Sequence, residues 1–134
     1  MSSQASGAFS VKLSPLPPYN GDEGASLGRM AIDKHFHGAL EATSKGEMLT
    51  AGSVVKGSAG YVAIERVSGT LAGRSGTFVL QHCATMNRGV PQLAITVIPD
   101  SGTGALTGLS GTMGIIIADG QHTYTFDWQI APPQ

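Results

Sequence analysis

The chain has 134 residues, a formal net charge of −1, 13% charged residues and 41% hydrophobic ones. That length allows one domain, 1–134, with a real core. Eight Lys and Arg form no basic patch, which argues against nucleic acid as a partner and against electrostatic docking on a membrane. No apolar run reaches membrane-spanning length, and MSSQASGAFSVKL lacks the basic start and apolar core of a signal peptide. The single cysteine, Cys83, excludes an intrachain disulfide. The expected compartment is the cytoplasm.

Nineteen glycines, spaced between short β-rich runs without a collagen period, punctuate many strands and tight turns. Ala8–Leu13 alternates and reads as the first strand. Ser14–Gly24 (SPLPPYNGDEG) is rich in Pro and Gly and reads as a long loop, a candidate lid or mouth segment. Leu27–Gly38 alternates again, with Met30, Ile32, Lys34 and Phe36 on one face. Glu41–Ala51 is a weaker strand, although Ala39–Leu49 carries some helical propensity. A Gly/Ser connection leads to Tyr61–Thr85, two strands joined by a tight turn. Gln92–Ile98 is a β-branched strand. The Gly/Thr-rich stretch PDSGTGALTGLSGTMG supplies Leu106 and Leu109 to plug one barrel end. Gly114–Ala118 and His122–Ile130 complete the set. About eight strands with short connections define an all-β fold, a single antiparallel β-barrel with a central cavity, and closure removes the edges that a Gly-rich open sheet would expose.

The segments IERVSGTLAGRSGTFVLQH and TVIPDSGTGALTGLSGTMG resemble a bacterial family of unknown function with the allene-oxide-cyclase-like β-barrel fold. The resemblance runs from Ala8 to Trp128. It implies a small closed barrel, of a shape shared with lipocalins, around a central cavity. It implies no single activity, because fold does not fix function. The plant cyclase's own active-site pattern is not recognisable, so none of its residues is carried over.

The hairpin carries the chemistry. A two-residue loop at Ala72-Gly73 pairs Glu65 with Leu80 and Ala63 with His82. One face then reads Tyr61, Ala63, Glu65, Val67, Leu71, Phe78, Leu80 and His82. A three-residue loop would slip the register by one and separate Glu65 from His82. The first register segregates apolar from polar residues better, and it places Glu65 and His82 as diagonal neighbours inside the barrel. Burial should raise the carboxyl's pKa and a neighbouring imidazolium should oppose that rise, leaving a pair poised near neutral pH for general acid–base work. A purely structural pair is the plain alternative.

The reading that follows is a cofactor-independent enzyme acting on a small hydrophobic or aromatic ligand by isomerisation, cyclisation or proton-transfer elimination. Glu65 is the base and His82 its partner or the acid. Tyr61, Phe78, Leu80, Lys34, Phe36, Tyr124 and Trp128 contact the substrate. A non-catalytic hydrophobic-ligand binder is the alternative. A second alternative is a cupin-like metal enzyme using His35, His37 and Glu41, although Phe36 competes with the two histidines for the inner face. Cys83 faces away from Glu65 and has no activating base. Self-association through the outer face is expected.

Overall fold

In a computed structural model that describes residues 3–20 and 26–132, eight strands follow one another around a closed barrel. They are β1 (Ser3–Leu16), β2 (Leu27–Phe36), β3 (Leu40–Gly52), β4 (Ala59–Leu71), β5 (Arg74–Asn87), β6 (Val90–Val97), β7 (Leu109–Ala118) and β8 (Gln121–Ile130). Each is antiparallel to its neighbour in sequence, and β8 closes on β1 from Trp128–Ser3 to Thr123–Ala8. A single 3-10 turn, Gly104–Leu106, lies between β6 and β7.

Two elements, β1 and β7, differ from the sequence expectation, and the strand expected at Glu41–Ala51 is present as β3. β1 continues through Pro15, which pairs with Met30 of β2. Proline is tolerated there because β8 pairs with β1 only as far as Ala8, so Pro15 sits on an edge and needs no donor on that side. Gly21–Glu23 of the expected lid, with Gly24, lie outside the described residues. β7 starts at Leu109 rather than Gly114, since the Gly- and Thr-rich segment pairs with β8 from Leu109–Ile130 onward. The helical propensity of 39–49 is overridden, because β3 pairs along its whole length with both β2 and β4.

Alternation sorts the side chains. On β4, Ala63, Glu65, Val67 and Leu71 are buried, while Ile64 and Arg66, which alternate with the first three, are exposed. The barrel's two ends then differ. At the end holding the β2–β3 and β4–β5 turns, Phe36, Leu40, Leu71, Phe78, Phe126 and Leu106 are each at most 1% exposed. Phe78 stacks on Phe126 with ring centroids 5.7 Å apart, and Leu106 and Leu109 cap this end as expected. At the opposite end the inward rows loosen: Leu13, Leu93 and Ile117 are 44%, 43% and 67% exposed.

The wall itself is uneven. β4 and β5 pair over their full length, from Ala59–Met86 to Leu71–Arg74. β6 and β7 pair only at Ile95–Met113 and Thr96–Thr112. Towards the loose end, the facing edges of Val90–Ala94 and Gly114–Ala118 have no ladder partner among the described residues. The barrel is therefore parted along this seam.

Candidate active site

The β4–β5 turn sets the site. Ala72 and Gly73 both have positive φ, +49° and +83°, the geometry of a two-residue turn whose twist matches the flanking strands. Leu71 therefore pairs with Arg74, Glu65 with Leu80 and Ala63 with His82. Glu65 and His82 share the inner face, as the first of the two registers requires.

Glu65 is completely buried. Its Oε1 accepts a hydrogen bond from Ser44 Oγ at 2.6 Å. Its Oε2 accepts one from Lys34 Nζ at 2.9 Å and another from His82 Nε2 at 2.5 Å. Lys34 is 5% exposed and its ammonium also lies over the Phe9 and Phe36 rings, 5.2 and 5.3 Å from their centroids. Gly46 is the strand partner of Glu65 on β3. A Cβ there would stand 2.0 Å from the Ile64 carbonyl oxygen, so only glycine allows β3 and β4 to close at this point. Among the described residues no buried side-chain nitrogen or oxygen lacks a partner.

Charge in this layer runs opposite to the sequence expectation. Burial pushes the Glu65 carboxyl up, but the hydrogen bond from His82, the Lys34 charge and the hydrogen bond from Ser44 together outweigh it and hold the group at about 2. Glu65 is thus a carboxylate at neutral pH and a weak base. An ionised carboxylate only accepts hydrogen bonds, so His82 Nε2 carries the hydrogen of the bond between them. In the neutral ring Nδ1 is then the free acceptor. It faces the Tyr61 hydroxyl at 3.4 Å. Burial, followed by the Glu65 charge, raises the Tyr61 hydroxyl above its ordinary value, so Tyr61 is a proton-bearing donor at neutral pH.

Tyr61 connects this layer to open space. It lines a pocket of about 610 Å³ at the loose end of the barrel, together with Thr50, Ala84, Leu93 and Ile117 among others. Leu93 belongs to β6 and Ile117 to β7, so the pocket spans the parted seam. The walls are almost entirely apolar, and the size suits one small organic molecule.

The sequence placed Glu65, His82, Lys34 and Tyr61 together, and they meet. Of the seven side chains it assigned to the substrate, only Tyr61 lines the pocket; Lys34 is held in the buried layer by Glu65, and the other five lie elsewhere. Phe36 packs edge-on against Tyr124, with centroids 5.4 Å apart. Phe78 stacks within the solid end, and Trp128 pairs with Ser3 and Gly111 beside it. The Tyr124 hydroxyl is engaged by the backbone of His37 and Leu40. Leu80, fully buried, backs the layer beside Glu65. None of the five lines the pocket. The histidine pair also falls outside the lumen: His35, His37 and Glu41 side chains are 46%, 53% and 52% exposed, because Phe36 takes the inner face. The cupin-like alternative therefore has its three residues on the outer surface rather than in the lumen. Cys83 is exposed on the outer wall.

Ser44 and Gly46 were missed. Their signal was the run of small inward residues on β3, Ala42, Ser44 and Gly46, facing the bulkier row of β4. Thr50, Ala84, Leu93 and Ile117 were missed as well, since small and aliphatic residues look the same in sequence whether they fill a core or line a mouth.

Fold and site together define a class: a closed eight-stranded barrel with a buried carboxylate–imidazole–ammonium layer beneath an apolar opening. The model of the family described as "Protein of unknown function (DUF3224)" matches residues 5–128, and the chain belongs to that family. It is similar to a crystal structure, at 1.84 Å resolution, of a protein of unknown function of the DUF3224 family from Shewanella oneidensis MR-1. The two are 53% identical with a TM-score of 0.96, over 99% of this chain and 100% of that one. No curated protein matches.

Proposed function

We propose that this protein is a small-molecule-binding barrel that transfers protons to and from a compact apolar or aromatic substrate held in the mouth pocket. One observation carries the reading. A fully buried, ionised Glu65 fixes one nitrogen of His82 and leaves the other facing Tyr61, which borders the pocket. Paired carboxylate and imidazole groups of this kind orient the ring and stabilise its protonated form, while the other ring nitrogen takes up and returns the proton. His82 is then the general base and acid, Tyr61 the hydroxyl that relays the proton between His82 Nδ1 and the substrate, and Glu65 a positioning residue. Lys34 keeps Glu65 ionised. The reaction types that fit are isomerisation, cyclisation and elimination steps that begin by removing a carbon-bound proton. They need no cofactor.

The nearly unbroken apolar lining of the pocket supports a second reading, a carrier of a hydrophobic ligand without chemistry. The two are separated with 5-nitrobenzisoxazole, an aromatic probe whose ring opens when a base removes its carbon-bound proton. The catalytic reading expects turnover that drops by roughly 10²-fold in His82→Ala, the ordinary contribution of a positioned acid–base group. Probe binding, followed by isothermal titration, should persist in that variant. Equal turnover by the wild type and His82→Ala would leave the carrier reading.

A further inference from the structure

Outside the barrel, at the solid end and away from the pocket, His35, His37 and Glu41 converge. His35 lies on β2, Glu41 on β3, and His37 between them at the turn. Glu41 Oε2 lies 3.0 Å from His35 Nε2 and 3.3 Å from His37 Nδ1. The two imidazoles stack with centroids 4.1 Å apart and planes inclined by 25°. All three ligand atoms fall within 4.8 Å of one another. Donors bound about 2.0–2.1 Å from a tetrahedral Zn²⁺ stand roughly 3.3 Å apart, so two of the three edges already have the required length.

The backbone beneath them is fixed from two sides. The His37 N–H donates to the Ala8 carbonyl of β1 at 2.9 Å. From the inside, the buried Tyr124 hydroxyl accepts from the Leu40 N–H at 3.1 Å and points at the carbonyls of His37, 2.8 Å, and Leu40, 3.1 Å. Gly38, at φ +110°, allows the reversal between them. One buried phenol thus holds the chain on both sides of the turn that carries the ligands. A loose pair of surface histidines has no such support.

We infer that His35, His37 and Glu41 form a binding site for one divalent d-block cation of the Zn²⁺ type, a structural clasp over the β2–β3 turn. Two imidazole nitrogens and one carboxylate oxygen select such an ion over Mg²⁺ or Ca²⁺, which favour all-oxygen sites. Three protein donors leave a fourth position for water. Tyr124 acts as a positioning residue. The inference is independent of the reading of the mouth pocket.

The test is isothermal titration of the intact protein with Zn²⁺, with Mg²⁺ as control. The expected result is one Zn²⁺ per chain and no Mg²⁺ binding. Loss of an outer partner of a metal ligand alone costs about 10–100-fold in affinity, so His37→Ala and Glu41→Gln should each weaken binding by at least about tenfold. Their apo forms should melt with the wild type, since all three side chains are exposed. Cys83→Ser should bind as the wild type does. Tyr124→Phe, which keeps every ligand, should weaken binding by about tenfold. Absence of saturable Zn²⁺ binding, or affinity unchanged in His37→Ala, would overturn the site. Binding lost in Cys83→Ser would place the ion elsewhere and overturn it equally. Unchanged affinity in Tyr124→Phe would overturn the positioning role.

Discussion

The two ends of this barrel are made from the same strands and do opposite work. At one end Phe36, Phe78 and Phe126 fill the lumen until nothing of it remains accessible. At the other, where the same strands continue, Ala84, Thr50 and Leu93 leave a pocket of about 610 Å³. Between them Glu65, His82, Lys34 and Ser44 form a polar floor. The difference teaches where stability resides: the aromatic end holds the structure, and the open end is spared that duty. Burial of charge is tolerated at the boundary because every group there has a partner.

The contrast is sharpest in core truncations. Phe126→Ala should cost about 3–5 kcal/mol, from lost transfer energy and the cavity left behind. Leu93→Ala, at the half-exposed mouth, should cost under about 1 kcal/mol. Urea denaturation of the two variants checks this, and similar losses would erase the distinction between the ends. Acid probes the floor next. The Glu65 carboxyl lies at about 2 in the folded protein against an ordinary 4.5. Its contribution is therefore complete above 4.5 and is lost as the pH falls from 4.5 towards 2. The loss, on the order of 3 kcal/mol, should appear as a falling melting temperature across that window, and Glu65→Gln should flatten it. The smallest effect lies at the β4–β5 turn. Ala72 holds φ +49° without the side chain best suited to it. Ala72→Asn should stabilise by about 0.5 kcal/mol, because Asn tolerates the left-handed region and Asn-Gly favours this turn. A denaturation midpoint that falls instead would contradict the turn assignment.

Much of this was legible in the sequence, for local reasons. Alternation from Tyr61 to His82 around Ala72-Gly73 fixes both turn and register, and the register alone places Glu65 beside His82. Lys34 follows from the alternation of β2. The failures are non-local. Alternation says which face a side chain takes but not its height along the barrel axis, which depends on the stagger between strands. Tyr124, Trp128 and Phe78 were inside as expected, yet at the wrong end to meet a ligand. The carboxyl's charge state depended on Lys34 and Ser44 arriving from two other strands. A hairpin considered alone contains neither.

The parted seam between β6 and β7 has a consequence for kinetics. With only two ladder pairs joining these strands, their separation breaks few hydrogen bonds and leaves the rest of the ladder intact. On the proposed function, a molecule seated between Leu93 and Ile117 would leave through the side of the wall while the aromatic end stays folded. Release of such a molecule would then be uncoupled from the global unfolding rate.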